Sequence, residues 1–286
     1  MAAIERVGVV GCGQMGAGIA EVCGKAGYTV VVREANGDLL QTGMNRLNGS
    51  LDKAVARGKL KASERDAVRA RIIGTTDIHG FAECDLVIEA VPEDMKLKRQ
   101  VFAELDAVAP RHAILASNTS SLPVTEMAAA TKRPAQVLGL HFMQPVPVMT
   151  LLEMVRTFLT SEETFATARA FGESLGKTII VSQDSPAFIV NYLLIPFLMQ
   201  SVEALEHGLA TKEDIDTGVQ LGLGHPMGPF TLLDFVGLDT ALMIADAVFA
   251  ETKDPRFAAP PLLRRMVAAG YYGRKNGKGF YDYSGK

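Results

Sequence analysis

Between Val7 and about Val181, short runs of mostly β-branched residues alternate with longer stretches whose apolar positions recur every three or four residues. The runs Val7–Val10, Thr29–Val32, Leu86–Glu89, Ala113–Ala116, Gln136–Leu140, Leu151–Val155 and Thr178–Val181 read as strands. Several are apolar throughout, the pattern of a parallel sheet covered on both faces. Met15–Ala26 and Met95–Val108 carry helical spacing. This alternation predicts a doubly wound α/β domain.

Residues 38–71 break the rhythm. They read as two helices, with Leu47, Leu51 and Val55 on one face of the first, and hold eight Lys/Arg against four acids. After Val181 the strand signals stop. Ser185-Pro186 has the form of an N-cap followed by proline in the first turn, which predicts a helix start. From there to Ala269 the chain reads as helices joined by turns such as Gly224–Pro229. Two domains follow, an α/β domain over 1–184 with the helical-pair insert, and an all-α domain over 185–286. The apolar stretch Ala187–Met199 contains Asn191 and Pro196 and is too short to span a bilayer, so it reads as a buried helix.

Composition narrows the class. Of 286 residues 48% are apolar and 21% charged, with a net charge of −3, enough apolar surface for two cores and too little basic charge for nucleic-acid binding. Cys12, Cys23 and Cys84 are too few and scattered for a disulfide framework or metal site and read as reduced thiols. With no signal peptide visible, a cytoplasmic protein without a membrane partner is expected.

The first chemical motif is Gly11-Cys12-Gly13-Gln14-Met15-Gly16, directly after a strand and directly before a helix, with Glu34 at the end of the second strand. Gly11 suits a tight turn, Gly13 lets backbone approach a pyrophosphate, and Gly16 lets helix and strand pack closely. Gln14 and Met15 open a helix whose N–H groups and dipole favour phosphate. Glu34 would accept hydrogen bonds from ribose hydroxyls and repel a 2′-phosphate, favouring NAD. Arg33 beside it keeps NADP as the lesser alternative. This is the fingerprint of a Rossmann-type dinucleotide site. Gly273–Gly279 fails as a phosphate loop, because its spacing is wrong and Gly279 replaces the required Ser/Thr.

Oxidising an alcohol by hydride transfer needs a base for the hydroxyl proton, and histidine suits that task. His79, His112 and His207 sit in polar loop or helix-end contexts, and His225 in a Pro/Gly turn. His141 ends the strand Gln136–Leu140, at the edge where open α/β sheets bind ligands, although a histidine there can equally be a capping group.

Beyond these features, Val7–Glu34, Ser117-Asn118-Thr119-Ser120-Ser121, Gly139-Leu140-His141-Phe142, Pro145–Met149, Leu152-Glu153, Phe188-Ile189-Val190-Asn191, His225–Pro229 and Gly277–Tyr281 together resemble the L-3-hydroxyacyl-CoA dehydrogenases. The likeness is greatest to the short, single-function 3-hydroxybutyryl-CoA dehydrogenases, and it runs the length of the chain. It implies that His141 is the general base, Glu153 its carboxylate partner, Ser120 a hydroxyl bonded to the reacting oxygen, and Asn191 a polar group near the thioester. It places Glu93, Lys98, Ser120 and Gln144 on the cofactor side, and Ser50, Lys53 and Arg57 of the basic insert against coenzyme A. It also implies a homodimer. The family usually reads Asn, Arg and Gly where this chain has Gln144, Tyr192 and Ala187. Two alternatives stay open: the same chemistry on an acyl-carrier-protein thioester, and a non-catalytic NAD-binding structural protein.

Overall fold

The computed structural model describes residues 4–285. The chain divides into two compact units between Ser185 and Pro186. In the first, eight strands form one sheet: β1 (Arg6–Val10), β2 (Thr29–Arg33), β3 (Ile72–Thr75), β4 (Leu86–Glu89), β5 (Ile114–Ser117), β6 (Val137–Phe142), β7 (Leu151–Arg156) and β8 (Thr178–Gln183). Their spatial order is β3-β2-β1-β4-β5-β6-β7-β8. Strands β1 to β6 pair in parallel, β7 runs antiparallel to β6, and β8 is parallel to β7. Helices α1 (Gln14–Lys25), α2 (Gly37–Ala56), α3 (Ala62–Arg71), α4 (Met95–Val108), α5 (Val124–Ala128) and α6 (Glu162–Ser174) connect them. The core gathers strand residues such as Val7, Val9, Val30 and Ile88 with Ile19 and Cys23 of α1. It is a Rossmann-type doubly wound sheet.

All seven expected strands are present. The eighth, β3, carries no strand signature in the sequence: it is four residues long, includes Gly74, and lies at an edge where Ile73 is about half exposed. His141 lies inside β6 rather than just past it, because the ladder with β7 continues through Phe142. Residues 38–71 form α2 and α3. Leu47 and Leu51 are buried and Val55 half-buried, so the packed stripe is narrower than the apolar pattern suggests. Arg69 and Arg65 of α3 pair with Asp52 of α2, which neutralises part of the surplus positive charge within the helix pair.

The second unit contains α7 (Val190–Glu206), α8 (Lys212–Leu223), α9 (Pro229–Val236), α10 (Leu238–Thr252) and α11 (Pro261–Ala268), packed around residues such as Leu198, Phe230, Leu233, Ile244 and Phe257. The expected helix start at Ser185-Pro186 is corrected to Val190. Ala187 and Phe188 adopt φ of +66° and +54°, and two successive left-handed residues turn the chain before a helix can begin. Nor is the apolar stretch buried all round: Leu193 is 67% exposed, so α7 keeps one face open. Among the described residues no helix is long and apolar enough to cross a membrane.

The C-terminal segment is tied to this unit by two buried carboxylates. Asp234 accepts from the backbone N–H of Phe280 and Tyr281, both at 2.8 Å, and from the Tyr283 hydroxyl at 3.1 Å. Asp216 accepts from Phe230 and Thr231 backbone N–H and from the Thr231 and Tyr281 hydroxyls. A Cβ on Gly279 would lie 1.9 Å from Asp234 Oδ1, so the close approach requires glycine. The Gly273–Gly279 segment is therefore the inner lining of a structural clasp. Asp234→Ala strands three donors and is expected to lower stability by at least ~2 kcal/mol, whereas Tyr283→Phe removes one hydroxyl and is expected to cost under ~1.5 kcal/mol. Urea unfolding of the two variants checks the ranking.

Candidate active site

Parallel pairing delivers the strand ends to one edge in register. Val10 stands opposite both Arg33 and Glu89, Glu89 opposite Ser117, and Ser117 opposite Gly139, two residues before His141. The glycine loop, Glu34, the Glu89–Glu93 segment, the Ser117–Ser121 loop and His141 thus emerge along the same edge.

The loop Gly11–Gly16 has the form a dinucleotide requires. Gly11 has φ +93°, and a Cβ there would lie 2.7 Å from the Ala90 carbonyl; a Cβ on Gly16 would lie 1.8 Å from the Gly11 carbonyl. Gly13 is different: a Cβ would meet nothing within 4 Å, so its missing side chain leaves open space above the loop. No side chain caps α1, whose first N–H groups, from Gln14 and Met15 onward, are left facing outward for an anion. Glu34 stands at the mouth, its carboxylate accepting from Cys12 N–H at 2.6 Å and Ala35 N–H at 3.1 Å. Arg46 of α2 reaches the same loop, donating to the Cys12 carbonyl at 3.2 Å. The Cys12 thiol is pushed up to about 11 by burial and by the Glu34 charge, against the pull of Arg46.

On the far side of the edge, His141 and Glu153 are direct cross-strand partners of β6 and β7. The antiparallel turn-back of β7 is what sets a residue twelve positions later beside the histidine. His141 Nδ1 lies 2.8 Å from Glu153 Oε2, and both side chains are buried. A carboxylate only accepts, so Nδ1 carries a proton in this pair. Asn118, given no role by the sequence beyond its place in the motif, accepts from Phe142 N–H at 2.9 Å and extends the β5–β6 ladder past its last backbone pair.

Glu93 and Ser120 meet. Glu93 Oε1 accepts from the Thr119 hydroxyl at 2.5 Å, Ser120 N–H at 2.9 Å and the Ser121 hydroxyl at 3.1 Å, with Ser120 Oγ at 3.4 Å. Glu93 Oε2 lies 3.1 Å from Lys98 Nζ. Lys98 is buried, with Glu89 Oε1 at 2.7 Å. Sequence reasoning missed Glu89; its signal is a carboxylate ending an apolar strand with a lysine on the next helix.

Gln144 is exposed in the β6–β7 loop, before a cis peptide bond to Pro145. Ser50 and Lys53 of α2 are half-buried and exposed, and Arg57 is exposed at the helix end, on a flank away from Leu47 and Leu51. Asn191 belongs to the second unit, buried in the first turn of α7. His79 and His112 are exposed and paired with Asp77 and Asp85, and His225 packs against Phe197 with the two rings tilted.

Burial alone would raise the Glu93 carboxyl, but the Lys98 charge, the Thr119 hydroxyl and the Ser120 N–H outweigh it and hold the group below the usual glutamate range. A depressed carboxyl stabilises the fold above its unfolded value and loses that contribution as pH falls through the folded value. Glu93→Gln is expected to cost ~1–3 kcal/mol at neutral pH. The gap to wild type should close as pH drops below the ordinary glutamate range, since only the wild type has that contribution to lose. Urea unfolding as a function of pH measures both.

The profile of the 3-hydroxyacyl-CoA dehydrogenase NAD binding domain matches residues 6–185, and that of the family's C-terminal domain matches 188–283. A 3-hydroxybutyryl-CoA dehydrogenase of Mycobacterium tuberculosis is 50% identical over 98% of this chain and 99% of its own. The human mitochondrial hydroxyacyl-coenzyme A dehydrogenase is 43% identical, over 98% of this chain and 91% of its own. The solved (S)-3-hydroxybutyryl-CoA dehydrogenase of Ralstonia eutropha is 41% identical and superposes with a TM-score of 0.94, covering 99% of this chain and all of that one. With its strand-end site, its glycine loop and both domain profiles in order, the chain belongs to the 3-hydroxyacyl-CoA dehydrogenase family.

Proposed function

We propose that this protein is an NAD-dependent dehydrogenase that reversibly converts short-chain L-3-hydroxyacyl-CoA, above all 3-hydroxybutyryl-CoA, to the 3-oxoacyl thioester, with His141 as general base. The observation that carries the reading is the buried His141–Glu153 pair at the carboxyl edge of a sheet whose other half holds the glycine loop.

NAD, when bound, supplies the hydride acceptor. The uncapped start of α1 and the space over Gly13 suit its pyrophosphate, and Glu34 suits the ribose hydroxyls while opposing a 2′-phosphate. His141 takes the C3 hydroxyl proton on Nε2. Glu153 keeps the ring in that tautomer and stabilises the imidazolium that forms. Ser120, fixed through Glu93, hydrogen-bonds the reacting oxygen, and Asn191 serves the thioester side. Lys53 and Arg57 offer exposed charge to the phosphates of coenzyme A, and Ser50 a hydroxyl beside them.

The same reading extends to assembly and setting. Leu221 and Leu223 on α8 are 82% and 65% exposed, an apolar surface suited to a homodimer. Three buried, unbridged cysteines suit a reducing cytoplasm.

Oxidation of NADH with a panel of 3-oxoacyl-CoA and acyl-carrier-protein thioesters tests the substrate class. Acetoacetyl-CoA is expected to be turned over best, and preference for the carrier protein would replace coenzyme A as the handle. His141→Ala is expected to lower kcat at least ~10²-fold, the loss of a positioned acid–base group, with NAD affinity nearly intact by calorimetry. Turnover near wild type in that variant removes His141 from the mechanism. Glu34→Ser is expected to weaken NAD binding and improve use of NADP, since Arg33 remains to meet the phosphate. A wild type that already prefers NADPH would contradict the role given to Glu34.

A further inference from the structure

Glu89 has no place in the mechanism above, yet it is fully buried at the end of β4 beside an equally buried lysine. The ammonium of Lys98 has three N–H groups and three acceptors: Glu89 Oε1 at 2.7 Å, Glu93 Oε2 at 3.1 Å and the Val91 carbonyl at 3.3 Å. Glu89 is equally engaged. Its Oε1 also accepts from Val91 N–H at 2.7 Å, and its Oε2 from the Ser117 hydroxyl at 2.6 Å. Ser117 in turn accepts from Thr119 N–H at 3.1 Å. One carboxylate thereby ties together the ends of β4 and β5 and the first turns of α4.

Two carboxylates share Lys98, and the sharing matters more than either pair. A buried ammonium is costly without close counter-charge. Glu89 makes the shorter contact and is wholly enclosed, while Glu93 keeps part of its surface open and turns its other oxygen to Thr119, Ser120 and Ser121. Remove the Glu89 charge, and Glu93 becomes the only counter-ion. It is then drawn toward Lys98 and away from the serine loop.

We infer that Glu89 is a positioning residue for the reaction: by holding Lys98 it leaves Glu93 able to fix Ser120. The inference rests on the role proposed for Ser120. If Glu89 only neutralised Lys98, its loss would lower stability without touching turnover in the folded protein.

Glu89→Gln keeps the shape, removes the charge and sets an amide N–H₂ against donors. A displacement of ~1 Å beside reacting atoms can cost ~10²-fold, so a fall in kcat of at least ~10-fold is expected in the folded variant, with KM for acetoacetyl-CoA within ~2-fold. The isotope effect on kcat with NADH deuterated at the transferred position should rise, as hydride transfer becomes limiting. Glu89→Asp keeps the charge on an arm too short to hold both Lys98 and Ser117, and is expected to lose ~3-fold in kcat, a smaller displacement on the same scale. Wild-type kcat in folded E89Q overturns the assignment. Should E89Q fail to fold, wild-type kcat in E89D overturns it. Absence of turnover by the wild type would instead refute the proposed substrate. A crystal structure of folded E89Q then tests the assignment alone: Glu93 Oε1 is expected to have left hydrogen-bond distance of Ser120 N–H, and a contact still at the wild-type 2.9 Å counts against it.

Discussion

A parallel sheet brings every strand's carboxyl end to the same edge, and the chemistry of the first unit depends on that constraint. The ends of β1, β2, β4, β5 and β6 supply, in turn, the glycine loop, Glu34, the buried Glu89, the serine loop and the histidine. Residues as far apart as Val10 and Glu89 become neighbours because the ladder is in register. The one reversal is equally specific. With β7 antiparallel to β6, an acid lies directly opposite His141, where a cross-strand pair is closest.

Much of this was legible in the sequence because strands buried on both faces are written as uninterrupted apolar runs, and the glycine loop, its helix and Glu34 have fixed spacing. What was not legible is instructive. Ile72–Thr75 becomes a strand only because β2 offers it an unpaired edge, so tertiary context decides what four residues with one glycine cannot. The turn before α7 hides for the opposite reason: Ser185-Pro186 has every local mark of a helix start, and nothing announces that Ala187 and Phe188 will turn left-handed. β6 runs through Phe142, two residues beyond the run that ends at Leu140, so His141 lies within the strand instead of at its end.

The site residues divide in the same way. His141 could be singled out by chemistry and strand position, but its partner came from resemblance, because strand reversal between 142 and 151 leaves no mark in the pattern. Glu93 and Ser120 lie 27 residues apart, and their hydrogen bond exists only once β4 and β5 are adjacent. Glu89 was read as the last residue of a strand, which it is. That it also neutralises a lysine nine residues later follows from the geometry of the first turn of α4.

Cys12 sits in the middle of the loop that would receive the cofactor, where a reactive sulfur would be a hazard. Its side chain is enclosed, and α2 presses so close that a Cβ on Gly43 would lie 2.5 Å from the Cys12 sulfur. A thiol pushed up to about 11 stays protonated at neutral pH, and the thiolate is the form that peroxide and alkylating agents attack. Cys23 and Cys84, each pushed up to about 12, are more sheltered still. The enclosure keeps the one cysteine of the glycine loop as a thiol pressed against α2, so the loop carries no ready nucleophile of its own.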